Sequence, residues 1–345
     1  MFDDNRPPAD AYLSRRSAGE RFRASLDGQP LSPLCYKSRK MPSTQQGSIR
    51  LFRLSGIDVF LNWSWFVVGI YEVNARAGVY SSIIWNVLEY LALFAIVLTH
   101  EFGHALACRS VGGTANRIML WPFGGVAYVD PPQRPGATLW SIAAGPLVNV
   151  ALLPILFAIF LSGRMLGWGA AAPDAYRLVR AILYIDLGLL IFNILPVYPL
   201  DGGQILRSLL WFVMGRARSL MTAAIVGFLG VAGFILLAIR VRDIWLGAIS
   251  LYLVTSCWSG FQQARGLLRV AKLPRRDGFA CPSCKVAPPV GNIWKCSHCG
   301  QGFDTFASQA VCPWCGTQYP KTKCVDCGET HPMSEWAGSV VTPRI

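Results

Sequence analysis

The chain has 345 residues, of which 53% are hydrophobic and only 15% charged, and its mean hydropathy is +0.38. That balance suits a polytopic membrane protein and counts against a soluble domain of this length. The formal net charge of +13 raises nucleic acid as a partner. However, the cations lie mostly in the N-terminal tail and between apolar runs, which fits the positive-inside rule instead.

Residues 1–48 are rich in Arg, Ser, Pro and Asp with no apolar period, and are expected as a disordered cytosolic tail. Its opening Met1-Phe-Asp-Asp-Asn5 is too polar for a secretory signal. A first membrane span is expected from about residue 57 to 71, with Trp63 and Trp65 as interfacial anchors. A second runs from about 83 to 108. Toward its C-terminal end stands His100-Glu101-Phe102-Gly103-His104, a match to His-Glu-x-x-His. Histidines four apart share a helix face, so both imidazoles can hold one metal ion. Glu101 between them is placed to act as general base on a water. Ionisable residues near a bilayer centre cost roughly 2.5–3.5 kcal/mol each, so such a cluster persists where it does chemistry. Glu89, on another face of the same helix, receives no role.

Residues 112–130 carry the pairs Gly112-Gly113 and Gly124-Gly125 among β-branched and aromatic residues, and read as a hairpin or re-entrant strand pair. Non-helical backbone at membrane depth is tolerated where protein or water covers it, so the hairpin is expected to line the active-site cavity. Phe123, Gly124 and Gly125 would then hold an unwound substrate extended by β-augmentation. An ordinary cytosolic turn is the alternative.

A third span, about 138–161, contains Gly145, Pro146 and Asn149, which permit close helix approach, a bend and a cross-helix hydrogen bond. The fourth, about 178–195, breaks at Asn193-Ile-Leu-Pro196-Val-Tyr-Pro199-Leu-Asp201-Gly202-Gly203. Two prolines interrupt the helical ladder and two glycines allow tight backbone approach. A catalytic zinc commonly takes three protein ligands, and Asp201 is the natural third beside His100 and His104. On its own it would read as a helix N-cap. Asn193 either orients a water or the substrate carbonyl or caps the broken helix. Asp186 and Asp243 stand outside the break and receive no role. Fifth and sixth spans are expected at about 221–239 and 244–258. The loops richer in Arg and Lys then place both termini and the His-Glu-x-x-His end in the cytosol.

Residues 263–278 are expected as a basic linker. Beyond it, eight of the 11 cysteines form four Cys-x-x-Cys knuckles: Cys281/Cys284, Cys296/Cys299, Cys312/Cys315 and Cys324/Cys327. Four thiolates close one structural zinc site, so residues 279–335 are expected as a double zinc ribbon, followed by a flexible tail over 336–345. Consecutive pairing joins the first two knuckles and the last two; an interleaved pairing is left open. A redox dithiol reading lacks the surrounding βαβ pattern. His298 and His331 are spare. Lys285, Lys295, Lys321 and Lys323 are offset by Asp304, Asp326, Glu329 and Glu335, which leaves no basic stripe for nucleic acid. Protein recognition or structural capping suits the ribbons better.

The expected fold is therefore an α-helical polytopic membrane protein of about six transmembrane helices (residues 49–262) with a re-entrant β-hairpin, plus a small C-terminal zinc-ribbon module. With both motifs in place, residues 49–214 resemble the site-2 protease family of intramembrane zinc metalloproteases. His-Glu-Phe-Gly-His at 100–104 and Asn-Ile-Leu-Pro-Val-Tyr-Pro-Leu-Asp-Gly-Gly at 193–203 occur in the family's order, and Trp-Pro-Phe-Gly-Gly-Val at 121–126 looks like its substrate-facing strand. The resemblance implies that His100, His104 and Asp201 bind a catalytic Zn2+ and that Glu101 is the base. It also implies cleavage within the transmembrane helix of single-span membrane proteins. One catalytic and two structural Zn2+ are expected, in an integral, multi-pass membrane protein (of the cytoplasmic membrane if bacterial). Neither a PDZ insertion nor a nucleotide-binding tail is seen. The rival reading is a catalytically inactive, membrane-anchored zinc-ribbon adaptor.

Overall fold

The computed structural model describes residues 47–121 and 124–336. Residues 1–46 of the expected N-terminal tail, Phe123, and residues 337–345 of the expected C-terminal tail lie outside the described residues.

The described chain opens with β1 (Ser48–Leu54) and β2 (Ile57–Asn62), joined by Ser55 and Gly56, both at positive φ (50° and 73°), as a tight two-residue hairpin requires. Then come α1 (Ser64–Ala75), α2 (Ile83–Ser110), β3 (Thr114–Trp121) and β4 (Gly124–Asp130). The four strands form one sheet in the order β1-β2-β3-β4, parallel between β2 and β3 and antiparallel elsewhere. The helices α1 and α2 are the crossover that a parallel pair demands. Arg109, in the last turn of α2, donates to the carbonyls of Ser55 and Gly56 and ties that helix end to the hairpin turn.

The sheet corrects the first expected span. Ile57, Val59 and Leu61 are buried together with Trp65, Val97, Ala105, Cys108, Ile118 and Leu120, so this apolar run is a strand lying against α2. What remains, α1, has 12 residues. At 1.5 Å per residue it reaches only about 18 Å, short of the roughly 30 Å hydrocarbon layer.

The remaining membrane-region helices are α3 (Pro135–Met165), α4 (Trp168–Ala171), α5 (Pro173–Ile194), α6 (Asp201–Val241) and α7 (Ile244–Ala271). Among the described residues, three helices are long and apolar enough to cross a membrane: α2, α3 and α6. Their outer faces expose large apolar side chains such as Leu91, Ile155, Phe157, Leu229 and Leu236, which suits contact with lipid. Helix α6 is interrupted at Gly215, whose φ of 78° and ψ of 170° are non-helical, and the expected fifth span is its second part. Helix α7 continues to Ala271, so the first nine residues expected as linker are helical.

Past α7 the chain forms two small two-stranded sheets. β5 (Trp294–Lys295) pairs with β6 (Gly302–Phe303), and β7 (Lys321–Lys323) pairs with β8 (Thr330–Pro332), followed by the short α8 (Met333–Trp336). Trp336, expected as the start of a tail, is fully buried and packs on Phe306 with ring centroids 5.0 Å apart. Two cations of the expected linker are held by this module: Arg275 makes a two-pronged pair with Asp326 at 2.7 and 3.2 Å, and Arg276 meets Asp304 at 2.6 Å. The knuckle end at Gly328 lies against Gln133, in the segment that leaves β4.

Candidate active site and metal centres

Helix α2 carries His100 and His104 one turn apart on its buried face, and Asp201 is the first residue of α6. The break before α6 brings that carboxylate onto the two imidazoles. Asp201 Oδ2 lies 3.0 Å from His100 Nε2 and 3.2 Å from His104 Nε2, and the two Nε2 atoms are 3.1 Å apart. A tetrahedral zinc with bonds of about 2.0–2.1 Å keeps its ligands roughly 3.3 Å from one another, so this triangle fits the ion closely. All three groups are buried.

The other ring nitrogens are fixed by acceptors. His100 Nδ1 is 2.6 Å from Asn149 Oδ1, and His104 Nδ1 is 2.9 Å from the Ser141 carbonyl, both on α3. Each ring therefore carries its proton on Nδ1 and turns the Nε2 lone pair toward the shared point. Asn149 passes the contact on: its Nδ2 donates to Asp186 Oδ1 on α5 at 2.6 Å. Helix α3 can come this close because residue 145 is glycine. A Cβ there would stand 2.3 Å from His104 Nε2 and 2.7 Å from His100 Nε2.

Glu101 faces the hairpin. Its Oε2 accepts the backbone N–H of Ala127 at 2.7 Å, and a Cβ on Gly125 would lie 2.2 Å from its Cγ. β4 is the terminal strand of the sheet, so among the described residues the edge nearest Glu101 has no strand partner. A cavity of about 420 Å3 joins these elements; it is lined by His100, Glu101, His104, Gly124, Gly125, Asn193 and Asp201. Leu189, Phe192, Gln204 and Tyr252, which the sequence had not singled out, also line it. Of the expected substrate-facing residues, Gly124, Gly125 and Asn193 thus share the cavity with the polar cluster.

The eight ribbon cysteines gather into two tetrads, and their pairing corrects the consecutive scheme. One tetrad is Cys281, Cys284, Cys324 and Cys327; the other is Cys296, Cys299, Cys312 and Cys315. The first knuckle joins the last and encloses the middle two. Packing explains the choice. Cys281 and Cys324 share a core with Phe306 and Trp336, whereas Cys296 and Cys312 share one with Phe303 and Tyr319. The Sγ–Sγ separations across knuckles are 3.6 and 3.8 Å in the outer tetrad, and 3.5 and 3.7 Å in the inner. Zinc–sulfur bonds of about 2.3 Å in a tetrahedron give an edge of about 3.8 Å, so both tetrads fit zinc.

Sequence reading missed two contributors. Asp186 carried a signal, a carboxylate inside an otherwise apolar helix, but no motif marked it. Gly145 was read as a helix-packing residue; its neighbours are the imidazoles of His100 and His104.

The sequence model described as Peptidase family M50 matches residues 89–169 and 164–237. A zinc metalloprotease of Methanocaldococcus jannaschii is 32% identical over 182 residues, which is 52% of this chain and 50% of that protein. Stage IV sporulation protein FB of Bacillus subtilis is 33% identical over 118 residues, covering 34% of this chain and 38% of its own. The chain thus spans about half the length, or less, of these curated relatives. A solved structure titled as the site-2 protease from Methanocaldococcus jannaschii is 29% identical, with 62% of this chain and 95% of that chain covered and a TM-score of 0.46.

Proposed function

Because residues 89–237 match the sequence model of peptidase family M50, we propose that the chain is an intramembrane zinc metalloendopeptidase that hydrolyses a peptide bond within or near the transmembrane helix of single-span membrane proteins. One observation carries this reading: two imidazoles, one carboxylate and a neighbouring glutamate converge inside a cavity bordered by a free strand edge.

His100, His104 and Asp201 would hold the ion. Zinc bound there supplies Lewis acidity toward the scissile carbonyl and the attacking water. Glu101 takes the proton from that water and delivers it to the nitrogen of the departing amine. The Ala127 N–H holds this carboxylate in place while it does so. A helical substrate shields its amides in its own ladder, so the scissile segment must be extended first. The unpaired edge of β4 offers backbone groups to an extended strand. Asn193, at the cavity wall before Asp201, is suited to orient the carbonyl. In this reading the sheet lies re-entrant at the cytosolic membrane face, both termini are cytosolic, and the two cysteine tetrads each hold a structural zinc for binding a protein partner.

The test is cleavage of a single-span substrate in membranes by the Glu101→Gln variant. A loss of roughly 10²–10⁴-fold is expected, with zinc content unchanged. Cleavage at the wild-type rate would remove Glu101 from the reaction. Zinc analysis separates the adaptor reading, which requires two ions per chain where the protease requires three.

A further inference from the structure

Asp186 lies outside the cavity lining and outside the His100/His104/Asp201 cluster, yet it is fully buried, and its Oδ2 has no hydrogen-bond partner among the described residues. A carboxylate in that position within an apolar helix is costly to keep. What it contacts explains its presence. Asp186 Oδ1 accepts from Asn149 Nδ2 at 2.6 Å, and Asn149 Oδ1 faces His100 Nδ1 at 2.6 Å. Asn149 is itself fully buried.

An asparagine amide has two ends, a donor and an acceptor, and alone it can present either to an imidazole. Turned one way it makes His100 protonated on Nδ1, with a lone pair on Nε2. Turned the other way it donates to Nδ1, and the ring proton moves to Nε2, where it blocks the ion. An ionised carboxylate accepts only. Placed beyond Asn149, it draws the NH2 end to itself and leaves the oxygen for His100. We propose that Asp186 is a positioning residue: through Asn149 it fixes the direction of the hydrogen-bond chain, and with it the tautomer of His100 that can ligate zinc. This rests on the reading of His100, His104 and Asp201 as a metal site.

The experiment measures zinc affinity of the full-length protein in detergent by competition with a chelator, with total zinc per chain as a second readout. Asp186→Asn keeps shape and volume but supplies a donor as well as acceptors, so it lets Asn149 turn; affinity of the third site is expected to fall roughly 10–100-fold. Asn149→Asp alone sets two carboxylates face to face and is expected to fall at least as far. The double variant Asn149→Asp/Asp186→Asn restores the polarity, with an acceptor toward His100 and a donor behind it. Its affinity is expected to return to within a few-fold of wild type. The ions held by the cysteine tetrads serve as an internal check that each variant is folded.

Third-site affinity equal to wild type in both single variants would overturn the proposal. So would a double variant no better than the singles. A wild-type protein that holds no third zinc would remove the metal site itself, an outcome visible before any variant is made.

Discussion

At the scale of single residues, the site is defined as much by absent atoms as by ligands. Gly145 lets α3 pass beneath both imidazoles, and a methyl group there would overlap their Nε2 atoms. Gly145→Ala is therefore expected to weaken zinc binding at the third site by roughly 10–100-fold. Chelator competition, with the cysteine-bound zinc unchanged, checks this. His100, His104 and Asp201 were legible in the sequence because metal-binding chemistry imposes a pattern: histidines four positions apart, and a carboxylate in a helix broken by Pro196 and Pro199. Asp186 and the Ala127 N–H were not legible. Neither is marked by local spacing, and each acts only because the fold sets a distant element beside it, at sequence separations of 37 from Asn149 and 26 from Glu101.

At the scale of elements, the clearest difference between sequence and structure is the run from Ile57 onward. A short apolar stretch reads equally well as a strand or as part of a buried helix. Here the decision is made elsewhere in the chain, by β3, which pairs Asp58 to Leu61 with Arg117 to Leu120. The zinc-ribbon pairing is the same kind of problem. Every Cys-x-x-Cys knuckle offers the same ligands, so spacing could not choose among partners, whereas the aromatic cores around Trp336 and Phe303 could. Asp304 shows how tightly these loops are set. Burial pushes its pKa up, but the backbone N–H groups of Gly291 and Ala307 and the Arg276 guanidinium outweigh that and hold it below the usual carboxylate value. A depressed folded pKa contributes stability above the unfolded carboxylate pKa and loses it as the pH falls through the folded one. Asp304→Asn is thus expected to lower the thermal stability of the ribbon at neutral pH, and the gap from wild type is expected to close in acid. A gap that stays constant from pH 7 to below 4 would show that the charge is not the cause.

At the scale of the whole molecule, the nested tetrads act as a clasp within a clasp. With the inner tetrad closed, the path between the outer knuckles is roughly halved, which favours outer closure by about 0.6 kcal/mol, or about threefold in affinity. The two sites should therefore be coupled, each feeling the loss of the other by the same factor. Cys296→Ser is expected to remove the inner ion and loosen the outer one about threefold. Cys281→Ser is expected to remove the outer ion and, because coupling between two binding sites is reciprocal, to loosen the inner one by the same factor. Zinc titration of the two variants distinguishes this from two independent sites, where neither loss is felt by the other. The same arrangement sets an order on biosynthesis. As the polypeptide leaves the ribosome, Cys281 and Cys284 emerge first but have no mates until Cys324 and Cys327 follow, while the enclosed pair of knuckles can already take up its ion. A released chain ending just after residue 320 would carry one filled site and two waiting thiols, open to alkylation for want of the last knuckle.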